Sequence, residues 1–410
     1  MEYKEVKMSD FSYDLPGEKI AKYPLAERDA SKLLIYKNGN IVEDVYLNID
    51  QYFSENTLFI FNNTKVIQAR LHFKNTTGAA IEIFCLEPGE ENQEPATAMT
   101  QKKSVVWKCL VGKASKWKEK TLSNTFNNLT LHAEIITRNE NSFDIKFSWE
   151  PADLTFAEIL ENLGEMPIPP YLKRESEQID LKRYQTVYAN EKGSVAAPTA
   201  GLHFTERIFK KLKNKNMLTD YVTLHVSAGT FKPVKSETIK GHDMHSEWID
   251  VQSSLIENIR QCVLANQSDC AVVVVGTTSL RTLESLYWMG VKASMNADAT
   301  INELEIKQWD AYELPQNIAP VDALDALLKW LRKNNLKKLI CKTQILIVPA
   351  YKLKVANALV TNFHQPASTL LLLVAAVVGQ EWKTIYNYAL QNNYRFLSYG
   401  DGSILFNSKK

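Results

Sequence analysis

The sequence predicts an α/β protein in two parts: a large domain made from residues 1–70 and 151–410, and a small all-β domain inserted at 71–150. Three observations carry this. The run Ala271-Val272-Val273-Val274-Val275 is apolar without alternation, as in a strand buried on both faces of a parallel sheet, and a helical pattern over 279–289 follows at once. Between 71 and 150 the helical period disappears, and short β-branched and aromatic runs alternate with polar turns. Helical patterns then return and continue towards the C-terminus, so the β segment interrupts one α/β unit.

In chain order, residues 9–36 form a short strand or turn region broken at Leu15-Pro16 and Tyr23-Pro24, with a strand at 33–36. Arg28 and Asp29 read as a surface ion pair. Residues 57–61 are a buried strand that stops at Asn62-Asn63-Thr64-Lys65, a polar edge typical of a site rim. Inside the insertion the strands are 80–86, 105–111, 131–136 and 143–147, with a polar loop at 87–104. Residues 113–120 interleave lysines with Trp117, which suits phosphates and a stacked base or, equally, a strand edge guarded by lysines. Beyond the insertion come a helix at 154–163 and a rigid proline-rich segment, Pro167-Ile168-Pro169-Pro170, that presents Tyr171 and Arg174. A helix at 206–216 has Thr205 as its N-cap, and a strand follows at 219–226. In that strand Val222, Leu224 and Val226 face one way and Tyr221, Thr223 and His225 the other. A helix at 321–334, a strand at 344–348 and a helix at 368–378 complete the α/β layer.

Composition narrows the functional classes. With 410 residues, 45% of them apolar and 23% charged, the chain can bury a large core. A net charge of +1 gives no global pull towards nucleic acid, so any RNA contact must use a local patch. Cys85, Cys109, Cys262, Cys270 and Cys341 have no paired spacing, which predicts free thiols in a reducing compartment. The first seven residues are charged, and the longest apolar run, 370–378, is about half the ~20 residues of a spanning helix. A cytoplasmic protein without a membrane partner is expected.

The densest chemical signal is Gly193-Ser194-Val195-Ala196-Ala197-Pro198-Thr199-Ala200-Gly201-Leu202-His203-Phe204-Thr205. Small residues, a proline and a hydroxyl lead to a histidine, the composition of a backbone that approaches a ligand closely; the alternative is a tight turn around a buried histidine. His225, His242 and His245 follow within about forty residues, and His245 is placed on one face with Glu247. The string His242-x-x-His245-x-Glu247 lacks the four-residue histidine spacing of helical zinc sites, so no metal is expected. Arg281 falls in the first turn of its helix, where the dipole disfavours a cation, and calls for a carboxylate or phosphate partner.

These motifs, with Gly276-Thr277-Thr278-Ser279-Leu280-Arg281, Thr361-Asn362-Phe363-His364 and Tyr399-Gly400-Asp401, resemble those of the S-adenosylmethionine:tRNA ribosyltransferase-isomerases of queuosine biosynthesis. The resemblance runs in order from Met8-Ser9-Asp10-Phe11 to the last strand. It implies a large domain with a distorted β-barrel-like core and flanking helices. It also implies transfer and isomerisation of the ribosyl part of S-adenosylmethionine onto 7-aminomethyl-7-deazaguanine at the tRNA wobble position, with release of adenine and methionine. The catalytic candidates are His203, His225, His245, Glu247 and Asp401. The substrate-binding candidates are Ala197, Pro198, Thr199, Ala200, Gly201, Gly229, Thr230, Thr277, Thr278, Arg281, Asn362 and His364. The tRNA anticodon loop is expected on Tyr171, Arg174 and Arg183, with Lys116 and Lys118 as a second choice. S-adenosylmethionine serves as the ribosyl donor, no further cofactor or metal is implied, and a monomer is expected. The chain departs from the family pattern at Asn63, Ser227, Gln344 and Gly402-Ser403. A non-catalytic paralogue that binds RNA or nucleotide, or a transferase with another acceptor, is the alternative reading.

Overall fold

The computed structural model describes residues 3–89, 94–226, 234, 236–265 and 270–407. The strands of the first half are β1 (Lys32–Lys37), β2 (Asn40–Val45), β3 (Leu58–Asn62), β4 (Thr64–Val66), β5 (Arg70–Lys74), β6 (Ala80–Pro88), β7 (Ser104–Gly112), β8 (Thr121–Phe126), β9 (Leu129–Arg138) and β10 (Phe143–Glu150). Those that follow are β11 (Gly164–Glu165), β12 (Glu191–Ser194), β13 (Leu218–Leu224), β14 (Glu247–Gln252), β15 (Val272–Val275), β16 (Lys338–Thr343), β17 (Ala358–Asn362) and β18 (Gly402–Phe406). Nine of them form one sheet in the order β16-β14-β13-β3-β15-β17-β18-β1-β2. Its centre, β13-β3-β15-β17, is parallel, and both flanks turn antiparallel through β14 and β18. The sheet curls into a half-barrel and helices flank it, giving the α/β class with a barrel-like core.

Strand periodicity divides the core. In β3, Leu58 and Ile60 join a cluster on one face while Phe59 and Phe61 join a cluster on the other; Val272 and Val274 part from Val273 and Val275 in the same way. Both faces are therefore dry, which is why these strands are uninterrupted apolar runs. The larger cluster takes the helices Ser253–Leu264, Thr277–Met295, Pro320–Lys333 and Thr369–Val378; the smaller takes Ile208 and Leu212 of the helix Glu206–Asn214.

A second, seven-stranded antiparallel sheet, β11-β5-β6-β7-β10-β9-β8, has its own core around Trp107, Phe147 and Phe156. The helix Phe156–Leu163 covers that core with Phe156, Ile159 and Leu160, and a capping box between Thr155 and Glu158 starts it. The apolar cluster thus extends past residue 150. Trp117 is buried in it and is not available to stack a base.

Several expectations are corrected. A helix, Pro95–Met99, interrupts the polar segment at 87–104, because Ala98 and Met99 are buried. The expected strand at 344–348 lies instead at Lys338–Thr343, where burial alternates; Ile345 to Val348 are continuously buried, a pattern that periodicity cannot assign to a strand. Thr205 does stand at the N-cap of the helix Glu206–Asn214, but its hydroxyl makes no cap bond and donates to Asp29 Oδ2 at 2.5 Å. Asp29 is buried and pairs with Arg207, while Arg28 donates to the Gln185 and Lys182 carbonyls, so they form no surface pair. Cys262 and Cys270, expected as free thiols, are joined by a disulfide with Cα atoms 5.0 Å apart. They lie near the end of the helix Ser253–Leu264 and just before β15, and no sequence motif pairs them.

Candidate active site

A cleft of about 820 Å³, its open mouth included, lies beyond the carboxyl ends of β15 and β17. Strand carboxyl ends are where open α/β sheets place ligand sites. Ala196 to Ala200 form one wall, Gly276 to Thr278 a second, Thr361 to Gln365 a third; Ser368 to Leu370, Val226, Tyr171, Leu397 and Ser398 complete the lining. Gly276 takes φ 91°, a conformation open to glycine, and so converts β15 directly into the helix Thr277–Met295. Asn62, at the end of β3, accepts the Leu224 amide at 3.1 Å and donates to the Leu224 carbonyl at 3.0 Å, joining β3 to β13 behind the cleft. A Cβ on Gly201 would lie 1.9 Å from the Tyr188 hydroxyl, so glycine is required where the loop turns away.

No carboxylate, lysine or arginine is among the described lining residues; the titratable groups there are His364 and Tyr171. Burial lowers the His364 imidazole to about 3, and its Nε2 lies 2.9 Å from the Thr361 hydroxyl. Burial likewise pushes Tyr171 up to about 12, with its hydroxyl 2.5 Å from that of Ser398. Both side chains are neutral at pH 7. The field in the cleft comes instead from two helix N-termini, those of Thr277–Met295 and Thr369–Val378, whose first residues line it. Such a wall suits a zwitterionic or anionic group together with neutral polar contacts.

The expected site residues divide sharply. Ala197, Pro198, Thr199, Ala200, Thr277, Thr278, Asn362, His364 and Tyr171 line the cleft. His203 lies one layer behind Asn362, stacked on Tyr46 with ring centroids 4.3 Å apart, and burial lowers it to about 4. His225 is not among the lining residues and lies beside Gly193, where a Cβ on Gly193 would be 2.9 Å from its Nδ1; burial lowers it to about 4 as well. His245 is exposed while Glu247 is buried, so the two share no face. Glu247 forms a buried ion pair with Arg281, whose Nε donates to the Ile345 carbonyl at 3.2 Å. The carboxylate that Arg281 requires is thus the protein's own. Asp401 accepts from the Lys32 amide at 3.0 Å and from the Arg395 amide and guanidinium at 2.8 Å, tying β1 to the C-terminal segment. His203, His225, His245, Glu247, Arg281 and Asp401 therefore do not meet in one cleft. Gly229 and Thr230 lie outside the described residues.

Arg174 and Arg183 are also engaged within the fold. Arg174 grips Asp180 with two hydrogen bonds of 2.7 and 2.8 Å, and Arg183 donates to the Leu25 and Ala26 carbonyls. The sequence reading missed Gln365, Ser368, Thr369 and Ser398. Ser368 had a legible signal, a serine immediately before an apolar helical run, and its hydroxyl accepts the Leu371 amide at 3.2 Å.

A family model described as "Queuosine biosynthesis protein" matches residues 8–405. The chain belongs to this family of enzymes. Its relatives include the S-adenosylmethionine:tRNA ribosyltransferase-isomerase of Rickettsia bellii (strain OSU 85-389), 36% identical over 404 residues, 98% of this chain and 99% of the relative. The enzyme of that name from Halothermothrix orenii is also 36% identical over 404 residues, 98% of this chain and 100% of its own. The crystal structure of S-adenosylmethionine tRNA ribosyltransferase from Thermotoga maritima matches with 27% identity and a TM-score of 0.46, over 96% of this chain and 99% of that one. Asn63, Gln344, Gly402 and Ser403, the positions at which the sequence is expected to differ from the family, fall outside the described cleft lining. Asn63 accepts from the Thr223 hydroxyl at 2.7 Å, Gln344 donates to the Met244 carbonyl at 3.1 Å, and Ser403 donates to the Thr361 carbonyl at 3.4 Å. Ser227 lies outside the described residues. Among the described residues no group of His, Cys, Asp or Glu could hold a metal ion, and no helix is long and apolar enough to cross a membrane.

Proposed function

We propose that this protein transfers and isomerises the ribosyl moiety of S-adenosylmethionine onto 7-aminomethyl-7-deazaguanine at the wobble position of a tRNA, giving epoxyqueuosine, adenine and methionine. The observation that carries the reading is a cleft whose walls are the Ala197–Ala200, Thr277–Thr278 and Asn362–His364 segments, in a chain of this family. The two helix N-termini are matched to the methionine carboxylate. The positive sulfonium acidifies the adjoining ribose carbon, and a base that takes a proton there must be neutral at working pH. His364 is the imidazole among the described residues of the wall, so it is assigned the proton transfer by position, in preference to the histidines outside the cleft. The tRNA anticodon loop brings the acceptor amine to the mouth, and neither step needs a metal.

Incubation with S-adenosylmethionine and a tRNA carrying the aminomethyl base, followed by mass analysis of the nucleosides, tests the proposal. Free adenine, free methionine and the epoxide nucleoside are expected. Donor binding without adenine release would point to a non-catalytic paralogue. Adenine release without modification of this base would point to another acceptor.

A further inference from the structure

We propose that His203 is a positioning residue which, through Asn362, fixes the hydrogen-bond polarity of the cleft wall, so that Thr199 presents an acceptor to the bound ligand. The inference rests on reading the cleft as the S-adenosylmethionine site. His203 itself does not line the cleft; Asn362, at the carboxyl end of β17, and Thr199 do.

Four groups form one chain. A carbonyl oxygen can only accept, so the 3.4 Å contact between His203 Nδ1 and the Arg28 carbonyl places a hydrogen on Nδ1. Burial keeps the ring neutral, leaving a lone pair on Nε2. The partner of that lone pair, at 3.2 Å, is then the amide nitrogen of Asn362. This turns the Asn362 amide oxygen towards Thr199, whose hydroxyl donates to it at 3.0 Å. With its hydrogen committed, the Thr199 oxygen faces the cleft with lone pairs. A ligand O–H or N–H is favoured beside it, and S-adenosylmethionine has such donors on its ribose, its base and its amino group. Tyr46, stacked on the imidazole with 23° between the planes, holds the ring in register. Without the imidazole the Asn362 amide can turn over, and Thr199 is then free to donate instead. Each link thus follows from the one before, beginning at a main-chain carbonyl, which can accept but not donate.

Two measurements on the full-length protein test this. In nitrogen NMR of histidine-labelled protein at pH 7, the His203 signal, identified by its loss in His203→Gln, should show hydrogen on Nδ1 and none on Nε2. The opposite tautomer or an imidazolium would overturn the proposal. In equilibrium binding of S-adenosylmethionine, His203→Leu should bind about 10-fold more weakly and Thr199→Val should match it, since each forfeits about one hydrogen bond. His203→Gln should bind within about 3-fold of wild type, because its amide can donate to Arg28 while its carbonyl accepts from Asn362. Equal affinity in the Gln and Leu variants would overturn the positioning role whatever their thermal stability. If His203→Leu does not fold, Thr199→Val and Asn362→Leu carry the binding test, and wild-type affinity in both overturns the proposal. No binding by the wild-type protein would contradict the reading of the cleft, while the tautomer would still decide the polarity of the chain.

Discussion

Arg281 sits one turn into the helix Thr277–Met295, where the dipole opposes a cation, and Glu247 from the start of β14 is the carboxylate that offsets it. Both side chains are buried, so neither can lose its partner without leaving a charge stranded. Replacing Glu247 by alanine should cost about 3–5 kcal/mol in denaturant unfolding, and the double replacement of Glu247 and Arg281 by leucine should recover much of it. A double mutant as unstable as the single one would show that packing, not charge, sets the cost. The need for an anion near Arg281 was legible in the sequence; that the anion is internal was not, because long-range strand pairing of β14 with β13 and β16 brings residue 247 to it. Buried His203 and His364 make a second prediction. Their folded pKa values, about 4 and about 3, lie below the ordinary 6.5, so the unfolded chain binds more protons across that gap. Stability is therefore complete above pH 6.5 and should fall on acidification towards pH 4, by roughly 1.4 kcal/mol per pH unit for each histidine. Melting curves from pH 7.5 to 4.5 check this, and a flat profile below pH 6.5 would contradict it.

The helix Thr369–Val378 shows what a short sequence signal can position. Its residues are buried from Leu371 onward, and Ser368 fixes the start of the helix at the cleft by accepting the Leu371 amide. Ser368→Ala should cost about 1 kcal/mol. Donor affinity should fall with it, since the same turn faces the ligand; stability lost with unchanged affinity would remove this helix end from the site. Elements with a cap, a proline or a strict period were legible, as in the helix Pro320–Lys333. The strand Lys338–Thr343 was not, because its alternation is masked by the stronger apolar run that follows it.

Two sheets with separate hydrophobic cores account for the change of texture between residues 71 and 150. The α/β class was legible because the central strands are buried on both faces and must be apolar throughout. The site was legible only in part. Segments that end at the strand carboxyl termini were found, whereas side chains were assigned to the cleft by motif membership, which carries no direction. His225 and Val226 are sequence neighbours just past the end of β13, and only Val226 lines the cleft. Arg174 and Arg183, expected on the tRNA surface, likewise hold the chain to Asp180 and to residues 25 and 26. Replacing either by alanine should lower stability and leave the salt dependence of tRNA binding unchanged; a shallower slope of affinity against salt would show that they contact phosphate after all. The most direct test of the whole account is a crystal structure with S-adenosylmethionine. It should place the methionine carboxylate against the N-terminus at Thr277 and Thr278 or that at Ser368 and Thr369, with the ribose within reach of His364; donor density in any other pocket would contradict it.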